Sequence, residues 1–513
     1  MDYTKNQEEF GTAKETFYRL DSDKNDDTWE DAAELTLPYL MPPEGTQDNS
    51  ILATPYNSIG PSAVNALAAK LLLALLPSSG SFFRLLPDEE KMEGLDTEEM
   101  DQLDIELSKI EKDVIEYINI KAIRVQIFEA LKYLIVTGNV AMYKIPKGSY
   151  KIFNPRQYVI ERDYAGNLVT MAIKERISKH VLPKEVLEAL NEQESTEEST
   201  NTTKEASELD IYTMIVRTSK SKVTVWQEIN GMVIAGTEKS YSDETNPYIV
   251  LRWTAAPNDD YGRGQVEQYL GDFRSLEGLT QTIVQGGGIQ ARHLFGVRPG
   301  ATVKIEDLNN AENGDFVMGD LEREISTLQI NKTADLQVPM QLMQQLEQRI
   351  SQAFLMLSGQ IRDSERTTAT EVRATVSELE STLGGVFSVL AADFQTPLVT
   401  QILKELNPKA LDITTISVTT GVSAISREKD FQNLNIMLQS MSQLGPEVLA
   451  KYLDVGKYLS KVAASLGMDP SEIVKTPEQV QQEEQAQQQA AQQQMAAQAG
   501  ANAAQAQASN TQG

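Results

Sequence analysis

Residues 336–406 constrain this chain more than any other stretch: an amphipathic helix, a polar loop with two arginines, and a second long helix carrying a glycine pair. Leu342, Met343, Leu346, Ile350, Phe354 and Leu357 recur at steps of three and four, while Gln344, Gln345, Glu347, Gln348 and Arg349 fill the opposite face. That spacing predicts one helix with one buried stripe, stopping at Ser358-Gly359. The loop from Gly359 to Thr367 has no apolar pattern to hold it against a core and is expected to be exposed. Thr368 as N-cap and Glu371 at N3 form a capping box, which satisfies two orphan amides and fixes where the next helix opens. Its stripe, Val372, Val376, Leu379, Leu383, Val386, Phe387, Leu390 and Phe394, runs straight across Gly384-Gly385. Two glycines inside a helix cost up to about 2 kcal/mol relative to two alanines, so a bend is predicted at the pair.

Around these residues a family pattern gathers. Thr368-Ala369-Thr370-Glu371-Val372, Ser377 through Ser388 and Pro397-Leu398-Val399 resemble the tunnel helix of the portal, or head-to-tail connector, proteins of short-tailed, podovirus-type bacteriophages. Thr54-Pro55-Tyr56 with 63–77, Phe128 to Lys132, Gly138-Asn139-Val140, Gln157 to Asp163, Tyr261-Gly262-Arg263-Gly264 with Tyr269 to Asp272, and Gly314 to Val317 are similar to the same family, in the family's order. The resemblance spans roughly residues 10 to 475 and implies a helix-rich α+β portal fold that assembles as a ring.

On that pattern, residues 1–264 form a wing, helical at first and β-rich from about 140. A first stem helix follows at 265–294, a clip at 295–335, a second stem helix at 336–358, a tunnel loop and bent tunnel helix at 359–408, and a crown at 409–475. Residues 476–513 are Gln/Ala-rich and too poor in apolar side chains to offset the entropy of ordering.

The resemblance further implies a ring of twelve copies at one capsid vertex, through which double-stranded DNA is packaged, retained and ejected. Its implied partners are the terminase, a tail adaptor, the major capsid and scaffold proteins, and internal core proteins, with no cofactor and no membrane. Arg362 and Arg366 would then face the channel, where guanidinium groups contact passing phosphates. The local alternative is that Arg366 pairs with Glu365 or Asp363. Arg373, one turn into the capped helix, is a further channel candidate or a partner for Glu378 or Glu380.

Composition narrows the classes independently. With 46 basic and 74 acidic residues the formal charge is −28, which argues against a tight sequence-independent hold on phosphates. Such a surface repels DNA at short range and suits a conduit in which DNA slides; on composition alone, plain solubility is the commoner explanation. Cysteine is absent, so disulfides and thiolate chemistry are excluded. The opening residues are polar and acidic, unlike a leader peptide, which predicts a cytosolic product of the host bacterium. The most apolar run, Ala63 to Leu76, contains Asn65 and Lys70 and is shorter than the roughly 20 residues of a spanning helix. It is expected to be a buried helix.

Helices are also predicted at Leu103–Tyr117 and Ile123–Val136, and strands at Val140–Ile145, Tyr150–Phe153, Gln157–Arg162, Leu168–Ile177, Ile211–Val216, Lys222–Glu228 and Met232–Thr237. Turns are expected at Asp163–Asn167 and Asn230-Gly231, and an acidic insert without strong structure at Glu192–Ser207. Gly286-Gly287-Gly288 signals either a tight helix contact or a break.

Enzyme chemistry finds little material. His180 and His293 are the two histidines, and neither has a neighbour at ligand spacing. No G-x-x-x-x-G-K-[ST] loop occurs, and Tyr261-Gly262-Arg263-Gly264 has Glu267 where a dinucleotide fingerprint needs its third glycine. The remaining alternative is a metal-dependent nuclease built on Asp259 and Asp260 with Glu244 or Glu267. A ring-forming scaffold outside viruses is a third reading.

Overall fold

The computed structural model describes residues 10–418 apart from 44, 47–49, 78–81, 89–96, 183–207, 220, 291–293, 313, 329–332, 357–377 and 380, with single positions at 436, 439, 456 and 458 beyond. The acidic insert, most of the expected crown and the Gln/Ala-rich tail lie outside these residues. Within them the fold mixes helix and strand.

The N-terminal helices α1 (Ala13–Asp21) and α2 (Asp26–Glu34) precede α3 (Ile59–Leu75), α4 (Thr97–Ile120) and α5 (Ile123–Thr137). The apolar run is α3, which buries Ala63, Val64, Leu67, Leu71 and Leu75. No helix among the described residues is long and apolar enough to cross a membrane. Gly138 ends α5 in the left-handed region at φ 77, and a Cβ there would stand 2.5 Å from the Arg263 carbonyl carbon and the Gly264 nitrogen. Glycine is therefore required twice over: for the helix stop and for the close passage of 262–264.

The β-rich part holds two sheets. In the smaller, β2 (Asn139–Lys144) pairs with β3 (Tyr150–Phe153) and with β10 (Tyr248–Arg252). The larger runs β4 (Tyr158–Arg162), β5 (Leu168–Ser178), β6 (Glu208–Ser219), β7 (Lys222–Ile229), β8 (Met232–Val233), all antiparallel, with β9 (Lys239–Ser242) also on β7. Strand alternation divides its faces. Val159, Ala172, Met214 and Trp226 pack under α1 against Phe17 and Leu20, while Ile160, Met171, Ile173 and Ile215 face Ala141 and Phe153. Glu228 is buried and accepts from the Ala13 amide at 2.8 Å and the Trp226 indole at 2.7 Å, so a strand carboxylate satisfies the first turn of α1. Asn230 and Gly231 both have positive φ, the two-residue hairpin turn the sequence predicts. The strand expected at Met232–Thr237 shrinks to two residues, because Gly236 turns left-handed and the Thr237 hydroxyl closes on the Ile234 carbonyl at 2.7 Å.

Gly264 leads into α6 (Gln265–Gln268) and α7 (Leu270–Gln290). The helix continues through Gly286, Gly287 and Gly288, so no break is built there, and a Cβ at Gly287 or Gly288 would meet nothing among the described residues. Between α7 and α10 (Thr333–Ala353) lie a hairpin of β11 (Leu294–Val297) with β12 (Ile325–Leu328) and two short helices, α8 (Ile305–Asn310) and α9 (Leu321–Glu324). α10 begins before Leu336, carries Pro339 in its first two turns, and ends at Ala353 rather than Ser358. The stop comes from Leu355, which adopts φ 59.

After the gap at 357–377, helical residues 381–383 reach Gly384, followed by α11 (Gly385–Leu390), a π-helical turn (Ala391–Gln395), α12 (Thr396–Leu406) and α13 (Pro408–Ile413). The last strand, β13 (Thr414–Val418), pairs antiparallel with β1 (Phe83–Pro87), Phe83 opposite Val418 and Pro87 opposite Thr414. One large core draws on α2, α3, α5, α12, the bases of α7 and α10, and the smaller sheet.

Candidate functional site

Arg362, Arg366, Thr368, Glu371 and Arg373 lie outside the described residues, as does His293. What the structure does define is the framework from which that segment departs and to which it returns.

The glycine pair sits on the returning side. Gly384 takes φ 55, and an added Cβ would meet nothing within 4 Å. Glycine serves backbone geometry there rather than packing: it separates residues 381–383 from α11. A second irregularity follows within seven residues. Pro397 lacks an amide to donate to the Asp393 carbonyl and its ring would clash with that carbonyl in a regular α-helix. The chain widens into a π turn over Ala391–Gln395 immediately before it. Leu379, Leu390, Phe394 and Leu398 are buried and Leu383 and Val386 pack against the same core, so the apolar stripe continues through both changes, while Val389, off the stripe, is exposed.

Buried polar side chains fasten this segment to the body. Gln395 Nε2 donates to the Leu75 carbonyl at 2.6 Å, and the Arg124 guanidinium donates to the Leu76 carbonyl, so two of the carbonyls at the C-terminal end of α3 are satisfied by side chains. Lys70, from the middle of α3, donates to the Leu355 carbonyl at 2.6 Å and to Glu378 Oε2 at 2.9 Å. Glu378 is therefore engaged within this chain through Oε2. At the far end of α12, Glu405 accepts from the Tyr117 hydroxyl at 2.7 Å, the Lys147 amide at 2.9 Å and Lys144 Nζ at 3.2 Å. Burial pushes the Glu405 carboxyl up, but these three donors outweigh it and hold the group below the ordinary range; burial and the same carboxylate push the Tyr117 hydroxyl well up. Gln401 completes the attachment, accepting from the Tyr150 hydroxyl at 2.7 Å and donating to the Asn246 carbonyl at 2.6 Å.

The departing side is braced similarly. Phe354 is fully buried between Tyr269 and Phe273, with centroids 6.0 and 5.6 Å away. Arg349 of α10 pairs with Asp272 of α7 at 2.9 Å. Gln265 accepts from the Trp253 indole at 3.2 Å and donates to the Ala353 carbonyl at 3.3 Å. The Thr54-Pro55-Tyr56 motif leads into a strap across both helices. Glu277 accepts from the Tyr56 and Asn57 amides at 2.7 and 3.1 Å, and Asn57 Nδ2 donates to Thr280 and to Glu347, each at 3.3 Å.

The nuclease constellation does not come together. Asp260 Oδ1 accepts from the Arg162 amide at 2.6 Å, its backbone carbonyl accepts from Arg162 Nε at 3.2 Å, and the Asp259 carbonyl accepts from Arg252 at 2.7 Å. Both aspartates close a loop over two arginines. Among the described residues no group of three or more His, Asp or Glu side chains is placed to hold a metal ion. Exposed His180 lies in a single 3-10 turn, Lys179–Val181.

Lys70, Gln395, Gln401 and Glu405 were not singled out by sequence reasoning as structural ties. Lys70 carried a usable signal: a lone lysine on the buried side of an apolar helix needs acceptors brought by another segment. The other three sit in a helix whose periodicity shows where its apolar side lies but not which polar flanks are covered.

Comparison with known proteins gives one consistent result. A family model described as bacteriophage head to tail connecting protein matches residues 11–474. The chain is 34% identical to the portal protein of Escherichia phage T7 over 92% of its own length and 89% of that relative. It is 35% identical to the portal protein of Enterobacteria phage T3, over 91% and 89%, and 32% identical to that of Pseudomonas phage phiKMV, over 88% and 89%.

Proposed function

The chain belongs to the bacteriophage head-to-tail connecting protein family, and from that membership we propose that twelve copies close into a ring around the path of the viral genome. Membership implies a connector joining head to tail at the head–tail vertex of the virion, with capsid and tail proteins as partners. The finer reading is that double-stranded DNA passes along the ring axis during packaging, is held there, and leaves by the same route. The action is structural: each copy offers two different surfaces to its neighbours, and heterologous contacts of that kind close into a ring when the rotation allows. The relatives are structural portal proteins, and the Asp260 carboxylate is taken up by the Arg162 amide, so neither favours an enzyme reading.

In this reading α7 and α10 are the stem helices, the β11–β12 hairpin with its short helices is the clip, and the residues before Gln265 are the wing. The segment from 359 to the end of α12 is the tunnel loop and tunnel helix, and the chain from 409 to 475 is the crown. The clip would dock the terminase and later the tail adaptor; wing and crown would face capsid, scaffold and internal core proteins. Arg362, Arg366 and Arg373 would meet phosphates in the channel. The observation that carries the proposal is that the family match covers residues 11–474, a span that takes in the segments read here as stem, clip and tunnel.

Electron microscopy of the purified full-length protein viewed down its axis tests it. A closed ring with an opening wide enough for a duplex is expected. A compact monomer under every assembly condition, or rings with residues 359–408 on the outer perimeter, refutes it. Arg362→Ala with Arg366→Ala is expected to leave rings intact and impair DNA packaging or retention; normal values in both assays remove the arginines from the mechanism.

A further inference from the structure

We propose that Asn57 is a positioning residue that sets the register of α7 against α10, because its one amide side chain bonds both helices and the start of a third. Asn57 Nδ2 donates to the Thr280 hydroxyl on α7 and to Glu347 Oε1 on α10, each at 3.3 Å. Its Oδ1 accepts from the Ile59 amide at 2.7 Å, in the first turn of α3. The donors and the acceptor of the carboxamide are therefore divided among three helices. The backbone is held as well, since the Tyr56 and Asn57 amides both donate to the Glu277 carboxylate of α7.

Two features mark the bridge as built rather than incidental. The strap that carries Asn57 has no slack. Pro55 restricts the backbone just before it, and just after it a Cβ on Gly60 would stand 2.3 Å from the Leu35 carbonyl oxygen. The start of α3 is thus seated on the end of α2, and the amide side chain reaches the helix pair from a fixed point. The helix pair, for its part, has little else to hold its register at this level. Val284 on α7 and Leu342 on α10, within two turns of the bridge, are about half exposed. Where apolar contacts are few, hydrogen bonds to a carboxylate weigh more in deciding position. A slide of one helix along the other carries Thr280 and Glu347 apart and breaks the bridge, so displacement along the pair is passed to α3 and the body core behind it. This gives the Thr54-Pro55-Tyr56 stretch a physical task.

Hydrogen exchange of the full-length protein, resolved along the chain, tests the bridge. Asn57→Asp keeps an acceptor for the Ile59 amide and removes the donor to Thr280 and Glu347. It is expected to speed exchange in α7 and α10 about ten-fold, while α3 and α5 stay within about two-fold of wild type. Adding Glu347→Gln exchanges donor and acceptor across the contact and should recover most of the lost protection. Thr280→Val, which removes one acceptor at nearly constant shape, should give a rise of about three-fold in the same two helices. Unchanged exchange in α7 and α10 of Asn57→Asp, an equal rise in α5, or a rise that Glu347→Gln leaves in place overturns the proposal. If Asn57→Asp does not fold, Thr280→Val decides alone: a rise confined to α7 and α10 supports the bridge, and no rise overturns it. The ring and channel reading plays no part in this outcome, because variants and wild type are compared in the same oligomeric state.

Discussion

The body and the stalk of this molecule are stabilised by different means. Around α3 and α5 the side chains of Trp29, Leu40, Leu67, Leu71, Leu134 and Phe394 are wholly buried within one chain. Along the stalk, by contrast, Val303 is the one buried apolar side chain between Leu276 and Ile350 among the described residues. Val284, Val338, Met340 and Leu342 are about half exposed on its helices, and Phe316 and Met318 are fully exposed on the segment between α8 and α9. A helix pair that leaves such groups in water lacks a core of its own, since the hydrophobic gain of burying them, about 1.5–3 kcal/mol each, is not collected within the chain. The body folds on itself; the stalk depends on its base and on whatever covers it.

Four variants sharpen or break that contrast. The largest effect is expected from Phe354→Ala, which removes the ring wedged between Tyr269 and Phe273 at the stalk's root: a loss of about 3–5 kcal/mol, read from the urea midpoint of the full-length protein. A loss under 1 kcal/mol would show that the root is not part of the body's core. Next, Glu405→Gln should cost about 2 kcal/mol, because Lys144 and the Tyr117 hydroxyl lose a charged acceptor in a half-buried site. The Glu405 carboxyl lies below the ordinary range in the folded protein, so its contribution is complete at neutral pH and disappears as pH falls through the carboxylate range. Wild type and Glu405→Gln should therefore converge in stability under acid conditions; a difference that persists there contradicts the assignment. Gly384→Ala forces a Cβ into a left-handed backbone and should cost about 1 kcal/mol, with no cavity or clash to add to it. Val338→Ser with Met340→Ser should change monomer stability by less than about 0.5 kcal/mol while weakening assembly seen by sedimentation. A large loss in the monomer would mean that the stalk has a core after all.

Sequence periodicity served the body well and the stalk partly. The stripes of Ile59–Leu75 and Ile123–Thr137 were legible because their apolar residues are buried by the same chain. On Thr333–Ala353 the same kind of stripe is real, yet Leu342 within it is 46% exposed, since a pattern records what is to be covered and not by which molecule. Lys239–Ser242 was passed over because its side chains lie largely in water and do not alternate. Tyr248–Arg252 alternates in burial, but its first four residues are all apolar, so the sequence shows no period there. The π turn at Ala391–Gln395 was written in Pro397, whose missing amide disallows the regular helix around it, while the apolar stripe showed which side stays buried. The tie from Lys70 to Leu355 and Glu378 joins positions hundreds of residues apart, and no local signal encodes such a pairing.

The ladder joining Phe83–Pro87 to Thr414–Val418 sets a timetable for biogenesis. Its first strand leaves the ribosome about 330 residues before its partner, a delay of roughly 15–65 seconds at bacterial elongation rates. For that interval a bare strand edge is open to copies on neighbouring ribosomes. Protecting the edge of Phe83–Pro87 over that interval would favour pairing with its own partner strand over pairing between copies.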